Sequence, residues 1–413
     1  MMRREIDSRY AWFRLAAATL LSTIGGVGMW SVVVALPSVQ ADFGAERGAA
    51  SIPFTAVMMG FGLGSVLMGK LADRVGIVPP VLIGGSSLGL GFVLASMSHN
   101  LWQFTACYGV LIGLCGSAAT FVPLIADISR WFEKRRGTAV ALCASGNYLA
   151  GAAWPTLIEA MIRAHGWRVT HLTIGVLCFA TMVPLAALLR GPAPRRRAGA
   201  PVPAAEKRAI NLPLGPLQGL LSLAGLACCV AMAMPQVHIV AYCGDLGYGP
   251  ARGAQMLSLM LAFGIVSRIV SGFIADRLGG VATLLIGSAA QMAALGLYLF
   301  FDSLASLYVV SALFGLFQGG LIPSYAIIVR ESFPASQAGG RVGVIMMMTL
   351  VGMALGGWLS GAIFDLTGSY RAAFANGLAW NALNFLIALF LLYRTPLSAS
   401  RWATARRAGS AAG

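Results

Sequence analysis

Long apolar runs follow one another along this chain, parted by short polar stretches. They fall at roughly 14–36, 50–71, 78–97, 103–127, 138–162, 168–189, 214–240, 251–274, 281–301, 304–329, 341–364 and 370–393. Each is close to the ~20 residues that a helix needs to cross the hydrocarbon of a bilayer. The pattern predicts an all-α membrane protein with twelve transmembrane helices.

The polar punctuation repeats. Gly69-Lys70-Leu71-Ala72-Asp73-Arg74-Val75-Gly76 returns about half a chain later as Gly272-Phe273-Ile274-Ala275-Asp276-Arg277-Leu278-Gly279. At a similar offset Arg130 matches Arg330, and Gly166-Trp167-Arg168 matches Gly368-Ser369-Tyr370-Arg371. Such self-similarity indicates a duplicated unit. Duplicated six-helix units are a hallmark of secondary transporters. The expected layout is a six-helix bundle over 1–190, a Pro/Arg-rich linker over 191–213, a second, pseudo-symmetric six-helix bundle over 214–394 and a basic tail over 395–413. The linker holds Pro192, Pro194, Pro201, Pro203 and Pro213 and reads as a flexible tether; the tail reads as disordered.

Composition agrees with a membrane setting. The chain is 58% hydrophobic and 10% charged, with a mean hydropathy of +0.79. A soluble domain carries roughly 25% charged residues. The net charge of +15 does not point to nucleic acid, because of where it lies. Twenty-three of the 29 Lys and Arg fall on the side of the N-terminus, five fall opposite, and Arg268 falls inside a run. That bias places both termini in the cytoplasm and the chain in the cell's inner membrane. Basic loops then face anionic lipid headgroups. The seven cysteines sit mostly inside apolar runs without a CxxC, which suits small packing residues rather than disulfides or zinc. The first apolar run is too long for a signal peptide and reads as a retained span.

Two apparent catalytic motifs fail on context. Gly64–Leu71 nearly spells a phosphate-binding loop but lacks the Ser/Thr and ends a membrane helix. Gly85-Ser86-Ser87-Leu88-Gly89 spells GxSxG, but mid-helix. The four histidines fall near the outer ends of runs and read as surface or interfacial groups. No cofactor, metal set or catalytic constellation is apparent, so an enzyme is disfavoured. Gly60xxxGly64, Gly85xxxGly89, Gly315xxxGly319, Gly352xxxGly356 and Gly357xxxGly361 predict close helix contacts.

Arg268 carries the functional reading. An arginine at membrane depth costs at least ~2.5–3.5 kcal/mol on insertion scales, so it should face the protein interior or water. Gly264, Ser267, Ser271 and Gly272 share its helix face. Its planar fork suits a carboxylate, and a structural arginine held by backbone carbonyls is the alternative. Weaker cavity candidates are Gln318 and Tyr325 on one stripe with Ser311 and Gly315, Asn147 beside Tyr148, and Gln236 just after Pro235. Gly25, Gly26, Gly28 and Trp30 are a further candidate in the first run.

The loop motifs resemble those of the major facilitator superfamily, although Ile77-Val78 stand where that family has two basic residues. Trp131–Ala139, Ser145-Gly146, Pro155 and the run Ser258–Arg277 resemble its monocarboxylate and oxalate/formate porters. The resemblance implies a central cavity lined by the first, fourth, seventh and tenth helices, opening alternately to each side. Here Gly264 replaces the acid that the monocarboxylate group often carries one turn before the arginine, and no lysine lies inside a run. A single buried cation suits one carboxylate. No acid lies midway along the first or fourth run, which lowers a proton-driven cation exporter.

The sequence therefore predicts a secondary transporter of a small organic anion, a monocarboxylate, moved by ion-coupled symport through a monomer in the lipid bilayer. Rival readings are an efflux or uptake carrier for an unrelated amphipathic solute, and a transporter-like sensor without flux. Asp73, Arg74, Asp276 and Arg277 are expected to gate. Each acid should pair with an inner-end arginine such as Arg130 or Arg330, or cap a helix, when the cavity faces out. His238 is the candidate proton carrier, being the histidine nearest a run's interior.

Overall fold

The computed structural model describes residues 6–133, 135–191 and 210–395. Most of the expected linker, the tail from 396, Arg3, Arg4 and Lys134 lie outside the described residues. Every regular element described is helical. The first half comprises α1 (Arg9–Gly25), α2 (Val27–Phe43), α3 (Arg47–Val75), α4 (Val78–Ser96), α5 (Leu101–Ala106), α6 (Val122–Trp131) and α7 (Arg136–Leu188). The second comprises α8 (Leu214–Asp245), α9 (Pro250–Leu278), α10 (Gly280–Phe300), α11 (Leu304–Gln318), α12 (Leu321–Ser332), α13 (Ala335–Thr367) and α14 (Tyr370–Tyr393).

Joining adjacent pieces, eleven helices among the described residues are long and apolar enough to cross a membrane. The fifth and sixth apolar runs share α7. At 1.5 Å per residue its 53 residues would extend about 80 Å, far beyond a hydrocarbon core of about 30 Å. Gly166 breaks it, with φ 80° and ψ 161°, a conformation that a side chain resists. Three composite spans have internal irregularities instead. Gly26 separates α1 from α2. A π-helical stretch (Cys107–Gly116) and a 3-10 turn (Ser117–Thr120) link α5 to α6. Gly319 and Gly320 separate α11 from α12.

The duplication is visible in the backbone. Gly76 ends α3 at φ 86° and Gly279 ends α9 at φ 84°, and their N–H groups donate to Ala72 and Ala275 respectively. Arg130 and Arg330 occupy the last turns of α6 and α12.

All five GxxxG pairs sit where backbones nearly touch. An ideal Cβ on Gly60 would lie 2.2 Å from the Gly109 carbonyl, and on Gly64 2.0 Å from that of Leu114. On Gly315 it would lie 2.0 Å from the Met260 carbonyl, and on Gly352 2.4 Å from that of Leu226. The second residue of Gly85xxxGly89 meets Gly175 of α7, and Gly361 of the fifth pair meets Arg47 and Gly48 of α3. With lipid outside, such approach supplies dispersion contacts where no hydrophobic force drives helices together. Large apolar side chains such as Leu63, Ile269 and Phe273 point outward. At the edge of the linker, Ile210 is buried and Asn211 N–H donates to the Arg394 carbonyl (3.0 Å), so this end is docked on α14 rather than free.

Candidate functional site

Several helix pairs join the halves, α2 with α8 among them. α3 packs along α13, and α7 along α9. Tyr148 of α7 fills the space left by Gly264 of α9, where an added Cβ would lie 2.4 Å from its ring. One turn on, the Arg268 guanidinium lies 4.3 Å from the Tyr148 ring centroid. This cation–π contact crosses from one half to the other. No acid pairs with Arg268 among the described residues, and its buried Nε has no hydrogen-bond partner. A buried guanidinium N–H without an acceptor is costly, and an anion is the group that relieves it.

Other polar candidates gather nearby. Ser267 is buried against Gly319 at the α11–α12 break. Gln236 Nε2 donates to Gln318 Oε1 at 2.7 Å, joining α8 to α11. Gln318 Nε2 is buried and unpartnered, as is the indole N–H of Trp30. Trp30 lies beside Gly151, whose ideal Cβ would be 3.0 Å from its Nε1 and 2.3 Å from Leu261. The donors of Trp30 and Gln318 are therefore unspent. Asn147 lines a separate niche in the first half. Tyr325 turns away, its hydroxyl donating to Asn384 Oδ1 at 2.8 Å.

The two ends of the molecule differ. At one end the start of α3 is locked to the second half. Arg47 reaches both oxygens of Asp245 (3.1 and 3.2 Å) and the Tyr370 hydroxyl (2.7 Å). The N–H groups of Arg47 and Gly48 donate to the two oxygens of Asp365 (2.9 and 2.6 Å). Those amides belong to the helix's first turn, which has no acceptors of its own and favours negative charge. Behind this latch His238 Nε2 lies 2.7 Å from the Gly357 carbonyl and Nδ1 lies 3.2 Å from the Tyr370 hydroxyl. A carbonyl only accepts, so Nε2 carries the proton and Nδ1 accepts from Tyr370.

At the other end the one exposed ion pair between described residues lies within the first half. Gly69, Gly272, Gly339, Gly340 and Gly343 have nothing within 4 Å of an added Cβ. Arg130 pairs with Asp73 at 2.6 Å, both half-exposed or more. This pair joins α3 to α6 within one half, so it bridges nothing between the halves. Asp276 and Arg330 are exposed and form no ion pair among the described residues, and Arg74 and Arg277 are exposed too.

Three features escaped the sequence reading. Arg268 is not the only cation in the interior. Arg14, counted there as a flank, is fully buried, with Nε and Nη2 on the two oxygens of Asp127 (2.7 and 3.0 Å) and Nη1 on the Leu189 carbonyl (2.8 Å). His171 and His238, expected at the interface, are both fully buried; His171 Nε2 accepts from Tyr108 (2.8 Å), which neighbours Ser31. Arg47, taken as a loop residue, is the centre of the latch. Its only sequence signal was its place at the start of an apolar run on the sparsely basic side.

A sequence profile of the Major Facilitator Superfamily matches residues 18–308 and 282–410. The chain belongs to this superfamily. Within it the chain stands with the monocarboxylate transporters. It is 31% identical to rat monocarboxylate transporter 13 over 335 residues, covering 79% of this chain and 74% of that protein. It is 26% identical to the uncharacterised transporter YcxA of Bacillus subtilis, covering 92% and 95%. In three dimensions it is similar to the nucleoside transporter NupG (TM-score 0.70, 12% identity, covering 92% and 99%). It is also similar to an inward-facing bacterial homologue of the lysosomal transporter Spinster (TM-score 0.67, 15% identity, covering 94% and 98%). The superfamily member is thus a multi-pass membrane transporter and not an enzyme.

Proposed function

We propose that this superfamily member carries a small organic anion with one carboxylate across the cytoplasmic membrane by alternating access. The observation that carries the reading is Arg268, an interior cation with an unpartnered buried N–H, no acid beside it and a ring from the opposite half stacked on it. Relatives that are monocarboxylate transporters support the same substrate class. Breaking α7 at Gly166 yields twelve spans in two six-helix bundles over 1–190 and 214–394, with a cytoplasmic linker and tail. The Lys and Arg bias then puts the Asp73–Arg130 end in the cytoplasm and the Arg47 latch outside, so the site faces in. Tyr148 holds the guanidinium across the bundle interface, and a substrate carboxylate would accept from its Nε–H. Trp30 and Gln318 offer further donors.

The test is Arg268→Ala, with affinity for a panel of organic acids and thermal stability both measured on purified protein. Loss of a charge-assisted contact of roughly 1.5–3 kcal/mol lowers affinity ten- to a hundredfold. Arg268→Lys restores it in part, since a point charge lacks the paired donors. Normal affinity in a well-folded Arg268→Ala protein refutes the anion site.

A further inference from the structure

A small niche lies between the irregular point of the first span and that of the fourth. Ser22, Ser117, Thr120 and Asn147 line it, with Met29 and Phe61 beside them. It has room for one water-sized particle, about 10 Å³.

Both flanking helices are locally unwound, and their side chains are spent in a particular sense. Met29 N–H bonds to the Gly26 carbonyl (3.1 Å), which releases the Gly25 carbonyl from the helix ladder. Ser117 Oγ donates to that freed carbonyl (3.0 Å), and Thr120 Oγ1 donates to the Ser117 carbonyl (2.8 Å). Each hydroxyl has one hydrogen, and both are now committed. What these two oxygens still offer is lone pairs. Ser22 Oγ and the Asn147 amide have no hydrogen-bond partner among the described residues. Glycines keep the oxygens close. An ideal Cβ would lie 2.2 Å from Thr120 Oγ1 if placed on Gly25, 2.4 Å from Ser117 Oγ on Gly28, 3.3 Å from Asn147 Oδ1 on Gly26 and 2.9 Å from Ser22 Oγ on Gly146.

The lining has no formal charge. No lining side chain carries a positive charge to pair with an anion, and a divalent ion would lack the carboxylates it requires. A small monovalent cation fits. It can exchange its water shell for hydroxyl and amide oxygens, as sodium does beside unwound membrane helices. From this geometry we infer that the niche binds a monovalent cation of the size of sodium. The inference deepens the transport reading by naming the coupling ion. Asn147 adjoins Tyr148, whose ring lies on Arg268, so cation and anion sites share one stretch of α7. A cation entering with a monoanion also leaves the transported pair neutral.

The test uses purified full-length protein without any organic acid, melted in sodium chloride and in choline chloride at equal ionic strength. Sodium should raise Tm, Thr120→Val should abolish the rise, and Thr120→Ser should keep it. Asn147→Ala, on the opposite wall, should abolish it too and guards against a folding defect in Thr120→Val. In proteoliposomes an inward sodium gradient should speed organic-acid uptake several-fold over choline, and Thr120→Val should lose that stimulation. No sodium-dependent rise in the wild type means the niche holds water only and overturns the inference. An equal rise in Thr120→Val and Asn147→Ala places the ion elsewhere and overturns it as well. A protein that moves no organic acid at all defeats the transport reading, while the Tm measurement still decides the niche.

Discussion

Replacing Arg47 with alanine should open the end of the molecule that is now shut. The guanidinium makes two bonds to Asp245 and one to Tyr370, all across the interface between the halves. The Asp245 side chain is 37% exposed, so that ion pair is worth only about 1 kcal/mol or less. The Tyr370 bond is buried and charge-assisted, about 1.5–2 kcal/mol. Their sum, about 1.5–3 kcal/mol, is roughly a ten- to hundredfold shift in the balance between closed and open forms. A protein about 99% closed would approach equal populations. The Asp365 contacts survive, because they use backbone N–H groups. Spin labels on cysteines placed at Glu46 and Leu366, both exposed near the latch, would report the change as a second, longer distance. Arg47→Lys should lie between, having a charge but no fork. An unchanged distance distribution in Arg47→Ala would refute the idea that these bonds hold the end closed.

Arg14→Ala should destabilise the protein by about 3–5 kcal/mol, because it leaves Asp127 buried without its partner; thermal melting checks this, and Arg14→Ala with Asp127→Ala should recover part of the loss. His238→Gln should lengthen the spin-label distance less than Arg47→Ala does, and should leave untouched any stimulation of uptake by an inward proton gradient. Loss of that stimulation would identify His238 as the proton carrier.

The all-helical build and the paired helix-ending glycines were legible because hydropathy and glycine spacing are local properties. The helix-ending glycines at 76 and 279 show this well, since one short motif dictates one backbone shape twice. Arg268 was legible for the same reason, as a charge in an apolar run. Arg14 was not, because both it and Asp127 stand near run ends and look interfacial until packing brings them together across 113 positions. The latch was illegible for a stronger reason. Its members are the first residue of one helix and the ends of three others, so no window of sequence contains it. His171 and His238 followed the same logic; depth along a helix was readable, but the direction a side chain faces around it was not. The Asp73–Arg130 pair could be guessed as a pair, and since both residues fall before 190 the sequence already put it within one half.

The start of α3 has a consequence of its own. Glu46 stands at its N-cap position but makes no capping bond, and the carboxylate that does so belongs to a helix of the other half. The helix therefore borrows its end. Separation at this latch and fraying of that first turn are one event, so every opening hands two amides from a carboxylate to water. Hydrogen exchange at Arg47 and Gly48 should therefore time each opening of this end, with no added label.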